Sequence, residues 1–249
     1  MITDPTFYAV AIPAVALIGL AKGGFSGMGA LSLPAMAFVI NPVQAAAILL
    51  PLLIVQDVVG VWAFRRTVEW RVLGWMLPGA AAGVALGYGF AASVTPEAVM
   101  AAVGVISALF GAYRLWLASH AIPRETAKLP EWAGSLFGVA SGFTSQIAHA
   151  GQPPFQLWVL PRKLDPQLLV GTTAVFFAAV NWIKVPAYLA LGQFTRENLL
   201  TAGALIPVAV GSTLAGVWLV RRISPERFYT AIYWLMIGVG VALVWEAAF

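Results

Sequence analysis

One lysine lies in a glycine-rich stretch that interrupts an apolar run. The run extends from Phe7 to Ile40, and the interruption, Ala21–Gly29, reads AKGGFSGMG. A buried ammonium at membrane depth is costly and faces a cavity or a partner, while glycines let backbone N–H groups approach a ligand closely. This combination predicts a break between two half-helices that binds an anion. The predicted site residues here are Lys22, Gly23, Gly24, Ser26 and Gly27. The alternative is that the glycines only permit close helix packing.

A second apolar run, Trp132–Leu160, is dense in neutral hydrogen-bonding groups. We expect it to be broken twice, at Ser141–Gln146 and at His149–Pro154. Neutral donors suit an oxyanion that must be released again. The candidate substrate-binding residues are Ser141, Gly142, Thr144, Ser145, Gln146, His149 and Gln152. His149 titrates near neutral pH and is a candidate for proton coupling, although a structural role is an equally good interpretation.

Four further polar residues are expected on the membrane-spanning helices. Asp57 lies at a similar depth to Lys22, roughly 20 Å from the outer face by helix rise, and is the candidate ion-pair partner. Asn181 follows Asp57 by the offset that relates the two halves of the chain, and is expected to face the same cavity. Lys184 is placed close enough to the outer surface to snorkel, and Arg114 is expected to snorkel as well. Two roles are open for Lys22: binding the anion, or only pairing with Asp57.

Composition limits the classes of function. The chain has 249 residues, of which 61% are hydrophobic and 10% charged, so a polytopic helical membrane protein is predicted. There is no Walker-type glycine loop and no cysteine, and the two histidines are too few for a metal cluster. We expect a protein that is not an enzyme, with no cofactor, metal or nucleic-acid partner. The expected partners are a small anion and membrane lipids. The oligomeric state, monomer or homodimer, is open.

The two halves of the chain resemble each other. Residues 1–120 are predicted to form a first repeat, 121–131 a cytoplasmic linker and 132–249 a second repeat. The matched positions, in shared order, are Gly24-Phe25 with Gly142-Phe143, Asn41-Pro42 with Asp165-Pro166, Leu77-Pro78 with Ile206-Pro207, and Val94–Glu97 with Ile223–Glu226.

The loop charges predict how the repeats are oriented. Basic residues favour the cytoplasmic side, and all basic loops reach that side only if each broken run is a hairpin that returns to its own face. Each half then has three spans, an odd number, so the second half is inverted. The predicted fold is an all-α polytopic membrane protein, an inverted repeat whose halves each comprise a re-entrant or broken hairpin plus three transmembrane helices. Both termini are placed in the periplasm of a bacterial inner membrane.

The chain resembles the sulfite exporter TauE/SafE family of membrane permeases. The resemblance rests on Lys22–Gly27, the following Pro34 and the second copy around Gly142-Phe143, together with size and duplication. It implies transport of a small sulfur-containing anion, either sulfite or an organosulfonate such as sulfoacetate. The expectation is a secondary transporter that exports this anion by alternating access around two broken hairpins. An anion channel, or an importer of another small oxyanion, is the alternative.

Overall fold

The computed structural model describes residues 1–22, 28–119, 129–219 and 226–248, and within them the regular elements are helices. A short 3-10 turn, Met28–Leu31, precedes the second helix, and another, Leu160–Arg162, follows the seventh. The helices are α1 (Pro5–Lys22), α2 (Ser32–Ala37), α3 (Pro42–Phe64), α4 (Trp70–Ser93), α5 (Pro96–Ser119), α6 (Ala133–Ala148), α7 (Gln152–Val159), α8 (Pro166–Ala190), α9 (Arg196–Leu219) and α10 (Glu226–Ala248).

Six of these helices are long and apolar enough to cross a bilayer: α1, α3, α4, α5, α8 and α9. At about 1.5 Å per residue, the 23 residues of α3 and the 25 of α8 exceed the ~30 Å of a hydrocarbon core. Large apolar side chains such as Trp62, Leu86 and Trp182 are exposed on the helix surfaces. The structure confirms an all-α, multi-pass membrane protein.

α3 and α8 begin with the same kind of N-cap. Asn41 Oδ1 accepts a hydrogen bond from the Val43 amide (2.8 Å), and Asp165 Oδ1 accepts one from the Gln167 amide (2.9 Å). In each case a proline occupies the first helical turn, where its missing N–H costs nothing. The matched Asn-Pro and Asp-Pro pairs therefore begin α3 and α8.

The two arms of the first hairpin are less equal in length than predicted. Its entering arm, α1, has 18 residues, about 27 Å by helix rise, whereas the returning arm is the short turn followed by α2. Ser32 Oγ donates to the Ala14 carbonyl (2.7 Å), so the returning arm packs back on α1. Residues 23–27, with the predicted site residues Gly23, Gly24, Ser26 and Gly27, lie outside the described residues.

The break in the second hairpin lies at one position only, not at the two predicted positions. Residues 141–146 were expected to break the helix, but α6 runs through them without interruption and ends at Ala148. Gly142 lies where α6 contacts α4, because a β-carbon there would come within 2.1 Å of the Ala80 carbonyl oxygen. The real break is His149–Gly151, where His149 adopts left-handed backbone angles (φ 51°) and α7 returns toward the start of α6.

The hairpins pack against helices of the opposite half. α1 lies parallel to α9, as the contacts of Ile2 with Thr201 and of Gly19 with Ser212 show. α6 lies parallel to α4 along a seam of glycines, Gly79, Gly83, Gly138 and Gly142, that lets the backbones touch.

Two pairs of long helices run antiparallel to each other. Asn181 on α8 contacts Asp57 on α3, while Gly171, earlier in α8, faces Phe64 at the end of α3. On α5 and α10, Gly104 faces Gly240 and Gly111 faces Tyr233. α3 is therefore antiparallel to α8, and α5 is antiparallel to α10.

The charged residues divide between two ends of the helix bundle. At the basic end, the segment between α3 and α4 lies beside the segment between α7 and α8. The Glu69 amide donates to Thr172 Oγ1 (2.8 Å), and Arg71 pairs with Glu131 (2.7 Å). The basic residues here are Arg65, Arg66, Arg71, Arg162 and Lys163. The opposite, acidic end is the end where α1, α3 and α9 begin. Its described acidic residues are Asp4, Glu97, Glu197 and Glu246.

Candidate functional site

A cavity of about 80 Å³ lies where the end of α1 and the turn between α6 and α7 meet α3 and α8. A single water needs about 10–15 Å³ on this scale, so the cavity holds several waters or one small solute. One face of α8, from Val170 to Lys184, lines it from near the basic end to deep in the bundle. The polar side chains that line it are Lys22, Ser145, His149, Gln152, Thr173, Asn181 and Lys184.

Lys22, at the end of α1, is ion-paired with Asp57 on α3. The Lys22 ammonium donates to Asp57 Oδ1, and Asn181 Nδ2 donates to Asp57 Oδ2 (2.6 Å). Lys22 Nζ also lies 5.9 Å from the centre of the Phe177 ring. Both carboxylate oxygens thus have donors, which offsets the cost of burying the charge. The structure brings Lys22, Asp57 and Asn181 together.

Lys184 is placed differently from the prediction. We expected it to snorkel to the outer surface, but its side chain is fully buried, with 0% exposure, and lines the cavity. Its ammonium lies 2.8 Å from His149 Nδ1 and 3.3 Å from both the carbonyl and the hydroxyl oxygen of Ser145. The reason is geometric: Lys184 lies on the same face of α8 as Asn181, one turn further along, and that face is covered by the second hairpin.

His149 has a fixed tautomer in this arrangement. Nε2 lies 3.1 Å from the Ala46 carbonyl oxygen, which can only accept, so Nε2 bears a proton. When Lys184 is protonated, its ammonium can only donate, and Nδ1 then accepts from it. In that state the ring is neutral and connects α3 to α8 at the break between α6 and α7.

Gln152, in the first turn of α7, is oriented by a chain of side chains outside the cavity. Arg114 Nη1 donates to Gln156 Oε1 (2.5 Å), and Gln156 Nε2 donates to Gln152 Oε1 (3.1 Å). Because a guanidinium can only donate, it fixes the orientation of both amides and leaves Gln152 Nε2 as a donor for the cavity. Arg114 does not snorkel as predicted: Tyr233 accepts its second donor (2.6 Å), which turns the guanidinium inward.

Several other predicted site residues lie away from the cavity lining. Ser141 Oγ donates to the Gly151 carbonyl (2.7 Å) and so fixes the turn between α6 and α7. Thr144 Oγ1 donates back to the Ala140 carbonyl of its own helix (2.8 Å). Gln146 is buried beside Gly87 on α4 and lines a separate, smaller pocket. Gly142, as described above, contacts α4.

Aromatic rings separate the cavity from the acidic end. Tyr188 stacks on His149 with ring centres 6.3 Å apart, and Phe194 stacks on the other side of Tyr188 at 6.0 Å. The smaller pocket that includes Gln146 begins beyond Tyr188. In this conformation the cavity therefore reaches toward the basic end and is closed toward the acidic end.

Sequence reasoning missed the roles of Lys184, Gln156 and Arg114 around the cavity. The helical spacing of Asn181 and Lys184 was a usable signal, since residues three apart share a face. The role of Gln156 had no such signal, because it depends on the position of Arg114 some 42 residues earlier. Within the described part of the chain, no group of three or more His, Asp or Glu side chains is placed to hold a metal ion.

A multi-pass helical bundle, with a small cavity that polar side chains enter beside a broken helix, is the architecture of a membrane transporter. Comparison with known proteins agrees. The model of the sulfite exporter TauE/SafE family matches residues 11–243, so the chain belongs to that family and is a membrane transporter of the sulfite exporter type. It is 25% identical over 183 residues to a probable inner membrane transporter protein, TsaS, of Comamonas testosteroni, covering 72% of this chain and 73% of that one. No solved structure matches the chain.

Proposed function

We propose that the protein is a secondary transporter that exports a small sulfur-containing anion, sulfite or an organosulfonate such as sulfoacetate, across the bacterial inner membrane. The observation that supports this most strongly is the charge of the cavity. Lys22 and Lys184 both line it, and Asp57 is the acidic side chain bonded there. Basic groups with hydrogen-bond donors, removed from bulk water, favour an anion.

The size of the cavity agrees with a small substrate. Its volume of about 80 Å³ suits an oxyanion or a short sulfonate, whereas drug-sized ligands occupy pockets of roughly 300–1,000 Å³. The family name, and the relative described as an inner membrane transporter, support transport of a sulfur anion across the inner membrane.

The helix directions support alternating access. Antiparallel contacts between equivalent helices are what an inverted repeat produces, and inverted repeats place a substrate site between two broken hairpins. The cavity reaches toward the basic end and is separated from the acidic end by Tyr188, an asymmetry that fits one state of alternating access. The closed aromatic barrier also favours a transporter over an open anion channel.

The loop charges support an orientation with the basic end in the cytoplasm. Arg65, Arg66, Arg71, Arg162 and Lys163 are together there, and cytoplasmic loops are enriched in such residues. Both termini then lie in the periplasm. In this orientation the cavity reaches toward the cytoplasm, the side from which an exporter takes up its substrate.

Flux measurements on proteoliposomes test the proposal. Purified protein in liposomes preloaded with radiolabelled sulfite should release it with a rate that saturates as the internal concentration rises, and excess sulfoacetate should compete. Empty liposomes are the control for leak. A rate that increases linearly without saturation, together with single-channel currents, would indicate a channel, and no flux of any sulfur anion would disprove the proposed substrate class.

A further inference from the structure

We propose that Lys184, together with Ser145 and Gln152, forms the anion subsite, and that this subsite takes a singly charged headgroup such as hydrogensulfite or a sulfonate. This inference rests on the proposed function and specifies its substrate-binding residues. The sequence suggested Lys22 for this role. The structure favours Lys184 because the two lysines differ in what they already bind.

The formal charges of the cavity leave Lys184 uncompensated. Lys22 is neutralised by Asp57, whose second oxygen is occupied by Asn181. Among the described residues, the two ion pairs are Lys22–Asp57 and Arg71–Glu131, and neither includes Lys184. A fully buried ammonium without a bonded carboxylate is strongly destabilising, so an anion bound beside Lys184 would favour the protonated form of its side chain.

The neighbours of Lys184 hold the ammonium without neutralising it. His149 Nδ1 and two oxygen atoms of Ser145 accept from Nζ, and each of these partners is neutral. His149 cannot add a second positive charge while its Nδ1 accepts from Lys184. When Lys184 is protonated, the described charged groups at the cavity sum to one positive charge: Lys22 and Asp57 cancel, and Lys184 remains. A monoanion matches this charge, whereas a dianion would bring one buried negative charge too many.

Neutral donors complete the subsite. Gln152 Nε2 is left free to donate by the Arg114–Gln156 chain, and the Ser145 hydroxyl, which accepts from Lys184, retains its own proton for a ligand oxygen. Both residues line the same cavity as Lys184. One cation and two neutral donors suit the three oxygens of a sulfonate or hydrogensulfite group.

The test is direct binding of anions to purified protein in detergent, with methanesulfonate as the singly charged probe and sulfate as the doubly charged one. The parent should bind methanesulfonate at least tenfold more tightly than sulfate. Lys184→Met should weaken methanesulfonate binding at least tenfold. Arg66→Met, which removes a positive charge from the exposed α3–α4 loop, is the matched control and should bind like the parent.

Thermal unfolding separates binding from a structural role. Lys184→Met should unfold at the parent temperature or above, because an uncompensated charge no longer has to be buried. If Lys184→Met does not fold, Lys184→Gln is the second variant, because glutamine keeps a hydrogen-bond donor without the charge. Methanesulfonate binding by both variants at parental affinity would overturn the subsite, as would equal binding of sulfate and methanesulfonate by the parent.

The same assay distinguishes failure of the subsite from failure of the proposed function. If the parent binds no sulfur anion but binds nitrate or chloride, and Lys184→Met abolishes that binding, the sulfur substrate is wrong and the Lys184 subsite stands. If the parent binds sulfite and Lys184→Met binds it equally well, the function stands and the subsite is wrong. If the parent binds none of these anions, both are wrong.

Discussion

Asn181 Nδ2 lies 2.6 Å from Asp57 Oδ2, and the two residues are separated by 124 positions, the same separation as between Asn41 and Asp165. α3 contributes a carboxylate that binds Lys22, and α8 contributes an amide that supports the carboxylate. The two side chains therefore join α3 to α8 beside the cavity.

We predict that Lys22→Met destabilises the protein by about 3–5 kcal/mol, because it leaves Asp57 buried and unpaired. Anion binding should also weaken, since Asp57 would then repel the ligand. The double variant Lys22→Met/Asp57→Asn should recover most of the lost stability. Thermal unfolding of the three proteins in detergent measures this, and a double variant no more stable than the single one would contradict the pairing.

A second prediction concerns the seam between α4 and α6. A β-carbon at Gly83 would lie 2.0 Å from the Val139 carbonyl oxygen, so Gly83→Ala must push the helices apart and should cost about 1–3 kcal/mol. Gly89, on the same helix, has nothing within 4 Å of such a carbon. Gly89→Ala is therefore the matched control and should be neutral or stabilising by up to about 1 kcal/mol. Equal effects of the two substitutions on thermal unfolding would show that the seam is not tightly packed.

The amide of Gln152 gives a third prediction. Gln152→Met removes the donor and should reduce sulfite affinity severalfold. Gln152→Glu should reduce it further, because a carboxylate in the cavity would neutralise the charge that Lys184 offers to the ligand. Binding titrations on both variants check the order. A residue with only a structural role at the start of α7 would give no such dependence on charge, so equal affinities of the two variants would argue against a ligand contact.

The fourth prediction concerns orientation, and the absence of native cysteine makes it simple to test. Arg66→Cys, at the basic end, should react with a membrane-impermeant maleimide only after spheroplasts are permeabilised. Glu197→Cys, exposed at the acidic end, should react in intact spheroplasts. The parent protein controls for background labelling. The reverse pattern would place the basic end in the periplasm and the described cavity on the outer side.

Much of the fold could be predicted because it follows from apolar length and proline position. The starts of α3 and α8 were visible as Asn41-Pro42 and Asp165-Pro166, and the depth of Lys22 and Asp57 followed from helix rise. The second break was predicted at the wrong position because a glycine such as Gly142 is found in membrane helices both where a helix breaks and where two helices pack closely. Only the approach of Ala80, 62 positions earlier in the chain, decides between them.

The direction of the long cationic side chains could not be predicted for a related reason. Lys184 and Arg114 both have stems long enough to reach an interface, and sequence gives no information on which neighbours cover them. Burial of Lys184 depends on the second hairpin, and the inward turn of Arg114 depends on Gln156 and Tyr233. The identity of the uncompensated lysine was therefore accessible only from the three-dimensional arrangement.

The packing of each hairpin on the other half sets an order for biosynthesis. α1 is synthesised before its parallel partner α9, which begins at Arg196. Lys22 enters the membrane before Asp57 is available and before Gly19 of α1 can contact Ser212 of α9. The first hairpin can reach its final position only after α9 has been inserted, so assembly of the cavity waits for a helix that is made much later than α1.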